Sequence, residues 1–281
     1  MNTQTTRMSR DTGILAGWRR DSIRRLGFGI VIAAIYVFLL TPILIIVFSS
    51  FSATKANTFP PEGFSFKWYN EFFASDSFMA AFRFSVWLGG VAATLSTIIG
   101  FLTAYGIVRF LHGWRGAGQS LAMLPIMVPH ILISISLLIM LTVVPIAELT
   151  GLVAGHVIIC LPFTVAGILA SLDGVDRQYE LAAWTLGASR LRILWEVVIP
   201  LVAPGLISAF IFAFIISFGD VYIALFLSGP GMTTLPIEIF SYMQWESTPV
   251  IAAITTIQIV MIVILGLVIE RLFGLRRIMR I

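Results

Sequence analysis

Residues 149–172 read LTGLVAGHVIICLPFTVAGILASL, and no Asp, Glu, Lys or Arg interrupts them. A helix of that length crosses a hydrocarbon core, which takes about 20 apolar residues. The stretch is bounded by acids, Glu148 before it and Asp173 after it. The same signature recurs in both directions: charge-free stretches run from Leu26 to Thr54, Phe84 to Val108, Gly116 to Ala147, Val197 to Gly219 and Ser247 to Ile269. In lipid the backbone must satisfy its own hydrogen bonds, which leaves helices or closed barrels, and these unbroken runs lack the alternation of a barrel strand. The sequence predicts an all-α integral membrane protein with six transmembrane helices.

Composition points the same way. Of 281 residues 58% are hydrophobic and only 11% charged, with a mean hydropathy of +0.98, outside the range of soluble domains. A single cysteine, Cys160, allows no disulfide within the chain, so helix packing has to hold the fold. Basic residues near span ends are retained on the cytoplasmic side. They gather in the first segment (Arg7, Arg10, Arg19, Arg20, Arg24, Arg25), in alternate connections (Arg109 with Arg115; Arg177 with Arg190 and Arg192) and in the tail (Arg271, Arg276, Arg277, Arg280). The other connections are net acidic, so both termini are expected in the cytoplasm. A sequence pI near 9.6 does not imply nucleic acid, because the basic residues are divided among four span-flanking segments. The first apolar stretch exceeds the roughly 7–15 residues of a signal-peptide core and is expected to stay as an anchor.

These features divide the chain into a cytoplasmic Arg-rich arm (1–25), expected to be partly disordered or to lie at the headgroups, a first transmembrane helix (26–52), an external loop (53–77), a core of five helices (78–272) and a cytoplasmic tail (273–281). The external loop has a turn at Pro60, Pro61 and Gly63, and aromatic residues suited to a membrane interface. Inside the core, residues 173–200, DGVDRQYELAAWTLGASRLRILWEVVIP, form a long cytoplasmic connection with a helical pattern of its own. Leu181 and Trp184 recur at helical spacing, and Leu191, Leu194, Trp195 and Val198 repeat at i, i+3, i+4 and i+7. Two short amphipathic helices follow, broken at Gly187, which adopts a left-handed conformation without steric cost; Pro200 and Pro204 restart the chain into the fifth span.

This connection resembles the EAA loop of binding-protein-dependent importer permeases, whose pattern is E-A-A, three residues, G, nine residues, I-x-L-P. Gly187, Val197, Ile199 and Pro200 match in register. The glutamate departs: Leu181 holds the motif position and Glu180 precedes it by one. The resemblance covers roughly Pro60 to Arg271 and implies a type I ABC importer permease fold in a bacterial cytoplasmic (inner) membrane, with the loop between helices 4 and 5 serving as a coupling helix in a groove of a cytoplasmic ATPase dimer. Such a helix docks through large apolar anchors with charges at the rim. Leu181, Trp184 and Leu186 are then the expected anchors, Ala182 and Ala183 permit close approach, Gly187 forms the elbow, and Glu180, Arg190 and Arg192 set orientation. The resemblance further implies a second, non-identical permease subunit, an extracytoplasmic substrate-binding protein, and ATP and Mg held by the partner ATPase.

No cofactor or catalytic site is expected in this chain. The phosphate-binding loop G-x-x-x-x-G-K-[ST] needs a lysine after glycine, and the two lysines, Lys55 and Lys67, follow Thr54 and Phe66. No HExxH, GxSxG or cysteine cluster is present. His156 and Cys160, at i, i+4, could face one another, but two lone ligands are too few for a metal.

The segments PPEGFSFKWY (60–69) and FGDVYIALFLSGPGMTTLPIEIF (218–240) resemble the spermidine/putrescine branch of the family, which also carries opines and phosphonates. A polyamine is the solute this implies; the alternative is an opine, phosphonate or amino-acid-like solute. Asp220 gives the branch a physical rationale. It lies about 20 residues beyond Pro200, hence about 30 Å along a helix, and an aspartate at membrane depth costs on the order of 2.5–3.5 kcal/mol unless it faces a cavity, pathway or partner. It either lines the pathway or caps a broken helix near Gly219. Tyr222 and Trp87 are candidate cation-binding aromatics beside it. An ion-coupled secondary transporter would show coupling-ion residues and repeated interrupted helices, a membrane enzyme a nucleophile and base, and a scaffold no coupling register.

Overall fold

The computed structural model describes residues 5–56, 58–246 and 248–273, and every regular element among them is helical. Helix α1 (Thr5–Ser49) is followed by α2 (Lys67–Ala74), α3 (Asp76–Phe110), α4 (Arg115–Met127) and α5 (His130–Val143). Then come α6 (Glu148–Asp173), α7 (Gln178–Thr185), α8 (Arg190–Ile193), a π-helical turn (Leu194–Val198) and α9 (Ile199–Gly219). The chain closes with α10 (Tyr222–Leu227), α11 (Leu235–Trp245) and α12 (Val250–Phe273).

Five helical segments are long and apolar enough to span a bilayer, and the α4–α5 pair, bent by 91°, makes a sixth. Four of the expected spans are continuous helices inside α3, α6, α9 and α12, and the first ends at Ser49. The span expected over 116–147 is two helices, a correction with a local cause. Pro129 crowds the residue before it out of the helical region, and Val128 sits at φ −96°, ψ 127°. The broken pair still traverses the bundle alongside α6: Arg115, at the start of α4, pairs with Asp173 at one end of α6, while Leu141 of α5 covers Gly151 near the other.

A second correction concerns the arm. The helix runs unbroken from Thr5 into the first span, so the arm is helical rather than partly disordered, and the span itself stands as expected over Gly27–Ser49. No proline lies between Thr5 and Pro42, and leucine, alanine and arginine favour helix. The tail beyond Phe273 lies outside the described residues. The external loop carries α2, which is seated on the bundle: Trp68 and Phe72 are buried with Phe78, Phe218 and Ile254, and the Trp68 indole donates to the Ser52 carbonyl at 2.7 Å. The connection expected over 220–246 holds α10 and α11.

Three helices, α3, α6 and α9, form the centre. Association in lipid lacks the hydrophobic drive of water and depends on close backbone approach through small residues. Such residues recur every four positions: Ser96, Gly100 and Ala104 on α3, and Gly205, Ala209, Ala213 and Ser217 on α9. At Gly100 an added Cβ would lie 2.5 Å from the Thr164 hydroxyl of α6, and at Gly205 it would overlap Ser171. Small polar side chains stitch the same interfaces. Thr164 donates to the Ser96 carbonyl at 3.0 Å, and the Cys160 thiol to the Ala213 carbonyl at 3.2 Å.

Candidate functional site

The jointed segment after α6 forms because each of its turns is locally closed. Gly187 has φ +84°. Its amide donates to the Trp184 carbonyl at 2.9 Å and the Ala188 amide to the Ala183 carbonyl at 3.1 Å. This pair of bonds satisfies the orphan carbonyls of α7 and is the glycine-dependent helix ending of a Schellman motif. Ser189 then caps α8, its hydroxyl accepting from the Arg192 amide at 3.3 Å. The π turn lies just before Pro200: the Ile199 amide reaches back to the Leu194 carbonyl, and Pro200 has no amide to offer. An elbow at Gly187 results, as the spacing implies, but the second arm is not a separate short helix: Arg190–Gly219 is one helical run with a π turn in it, so Pro200 and Pro204 lie within the fifth span rather than restarting it.

The segment presents several exposed apolar side chains. Leu181 is 44% exposed, Trp184 62% and Leu186 88%. Ala182 is exposed, whereas Ala183 packs on the cluster formed by Phe101, Ala104, Val165 and Leu169. Arg190 lines a cleft of about 390 Å³ with Phe110, Arg177, Trp184 and Leu191. Arg192 is exposed and pairs with Glu196 one turn on, at 2.8 Å.

Glu180 does not occupy the rim position expected of it. It points into the bundle, where the Nε of Arg109 donates to its Oε1 at 2.7 Å and the Tyr105 hydroxyl to its Oε2 at 3.1 Å. Both members of the ion pair are nearly enclosed, their side chains 11% and 13% exposed. The cause is register: one residue is about 100° around a helix, so an acid one place before the motif position reaches Arg109 and Tyr105 at the inner wall of that cleft, while Leu181 and Trp184 line the same cleft and stay exposed. The sequence does not reveal that Arg109 and Tyr105 hold Glu180, because they are more than 70 positions away. Their signal was weak, a Tyr and an Arg at i, i+4 at the end of a span.

Asp220 lies where α9 stops. Its side chain is 3% exposed; one oxygen accepts the Ile223 amide at 2.7 Å, capping the first turn of α10, and the other lies 3.3 Å from Nδ1 of His130. His130 is the residue after Pro129, so two helix breaks, α4–α5 and α9–α10, meet at this contact. Of the three pathway candidates, Tyr222 stands two residues on and is half exposed, while Trp87, also half exposed, stacks on Phe84 of α3 with ring centroids 5.9 Å apart. No bond joins either ring to Asp220 among the described residues. His156 and Cys160 both turn toward α9 rather than toward each other, the imidazole Nδ1 lying 2.9 Å from the Ser217 hydroxyl. No group of three His, Cys, Asp or Glu side chains among the described residues is arranged to hold a metal.

Comparison with known proteins gives this geometry its family. Residues 96–278 match the family described as "Binding-protein-dependent transport system inner membrane component". The spermidine/putrescine transport system permease protein PotC of Haemophilus influenzae is 36% identical over 228 residues, covering 81% of this chain and 88% of that protein. The putrescine transport system permease protein PotI of Escherichia coli K12 is 33% identical over 244 residues, 83% of this chain and 85% of that one. Among solved structures, a bacterial ABC transporter involved in the import of the acidic polysaccharide alginate superposes with a TM-score of 0.69 at 16% identity, covering 91% of this chain and 98% of that one. The chain therefore belongs to the inner membrane components of binding-protein-dependent transport systems, the permease subunits of ABC importers.

Proposed function

We propose that this permease carries a polyamine, of the spermidine or putrescine type, inward across the membrane. The observation that carries the solute class is the resemblance to polyamine permeases over four-fifths of the chain. A cationic solute also suits a pathway with a carboxylate at its helix breaks, the role we assign to Asp220, with Tyr222 and Trp87 as aromatic faces for a cation. An opine, phosphonate or amino-acid-like solute is the alternative within the same importer class.

The energy comes from elsewhere. Two ATPase subunits holding ATP and Mg dock on the face bearing Leu181, Trp184 and Leu186, and a solute-binding protein delivers cargo on the opposite face. The membrane unit is completed by a second, non-identical permease. Its natural contact is α1, whose spanning residues are almost all exposed here. Both termini lie in the cytoplasm, on the charge distribution. The chain itself is not an enzyme.

The test is reconstitution of the complete importer in proteoliposomes. Accumulation of labelled spermidine or putrescine should need external binding protein and lumenal ATP, in amounts unaffected by an ion gradient. Accumulation without the ATPase, or exclusive uptake of an anionic solute, overturns the proposal. Trp184→Ala should leave the permease in the membrane while the ATPase no longer co-purifies; undiminished co-purification would remove Trp184 as an anchor.

A further inference from the structure

Glu180 sits on the segment that meets the ATPase, yet its carboxylate is spent on the bundle. The jointed segment is joined covalently to α6 on one side and α9 on the other. α3, which packs along both, has no such link. Among the described residues, the polar bonds from α3 to the segment all converge on Glu180: the Arg109 guanidinium and the Tyr105 hydroxyl, from the last two turns of α3. Apolar contact there is slight. No residue of α7 is buried, and Ala183 is its one side chain packed on the neighbouring core cluster.

We propose that Glu180, Arg109 and Tyr105 form a clasp by which α7 drags the end of α3 when the ATPase moves it. The clasp rests on reading α7 as the ATPase-contacting helix, and it names the residues that carry displacement into the third central span. The geometry suits a mechanical link. The ion pair is shielded enough to escape most salt screening, and removing one partner leaves the other as an uncompensated charge. Two donors on separate turns of α3 hold both oxygens of one carboxylate, which fixes its orientation as well as its distance. The one-residue displacement of the acid thereby separates two duties: Leu181 stays exposed and apolar, and Glu180 grips α3. Glu180, Arg109 and Tyr105 are positioning residues and touch no solute.

The experiment places spin labels at Tyr179→Cys on α7 and Phe110→Cys at the end of α3, both exposed positions, in the complete reconstituted importer; the native Cys160 is buried. With the clasp intact, the distance distribution between labels should be the same with and without ATP, because the two elements move together. Arg109→Gln should let it shift or broaden on ATP addition. It should also cut spermidine accumulated per ATP hydrolysed by about three- to ten-fold, in the range of coupling changes produced by single residues, with ATPase co-purification and basal hydrolysis kept. Tyr105→Phe should act in the same direction more weakly, and the exchange Glu180→Arg with Arg109→Glu should restore the fixed distance.

An ATP-dependent distance change already present with the clasp intact overturns the proposal. So does an unchanged distribution and transport ratio in both Arg109→Gln and Tyr105→Phe. Should Arg109→Gln fail to reach the membrane, Tyr105→Phe and the charge exchange decide. Failure of the docking reading looks different: Trp184→Ala would then keep its ATPase whatever the labels report.

Discussion

Replacing Gly187 by alanine isolates the energetic cost of the elbow. Among the described residues a Cβ at this position meets no atom within 4 Å, so the cost is not one of steric contact. What is left is torsional, because the residue is held at φ +84°, where an L-side chain costs about 1–2 kcal/mol. That corresponds to about a 5- to 30-fold shift from the jointed toward a straightened segment. If the ATPase binds the jointed form, its apparent dissociation constant should rise by the same factor, since affinity falls with the competent fraction. The measurement is a titration of detergent-solubilised permease complex with labelled ATPase, below saturation so that a partial shift is visible. A graded series is expected: Asn close to Gly, because it tolerates the left-handed region, then Ala, then Val. Proline should be worst, because it fixes φ near −65° and removes the amide that donates to Trp184. A flat series, or Val binding as well as Asn, would refute the reasoning, since the elbow would then carry no conformational requirement.

Two further substitutions probe the bundle and the pathway. Gly100→Ala forces a methyl against Thr164, where overpacking costs about 1–3 kcal/mol; the thermal unfolding midpoint in detergent should fall, whereas Gly90→Ala, where a Cβ meets none of the described atoms within 4 Å, should not lower it. Asp220→Asn keeps an acceptor for the Ile223 amide and removes only the charge, so it should lower spermidine uptake while assembly stays normal. Asp220→Ala also loses the cap, at about 1 kcal/mol; full uptake by the asparagine variant would assign Asp220 to capping alone.

Spans and elbow were legible in the sequence because each rests on a local rule. A charge-free run longer than the bilayer is thick has one outcome in lipid, and a glycine between two amphipathic patterns has few. The break at Pro129 was legible in principle, but hydropathy outvoted it: 116–147 is apolar enough throughout to read as one span. Helices α10 and α11 were missed because they are short and their ends are set by tertiary contacts, as when the Leu235 amide donates to the Ser85 hydroxyl 150 positions away. The orientation of Glu180 was beyond local reading for the same reason. Only the fold brings α3 beneath α7 and decides which way an acid one step out of register will turn.

The sharp bend between α4 and α5 divides one crossing into two independent limbs. The Arg115 limb is fastened to the Asp173 end of α6, and the His130 limb lies against α10. A rigid rod tilts both of its ends at once, whereas a hinged one lets either end swing while the other holds still. Neighbours at the two ends can therefore pull on this crossing separately, which a straight helix of the same length would not permit.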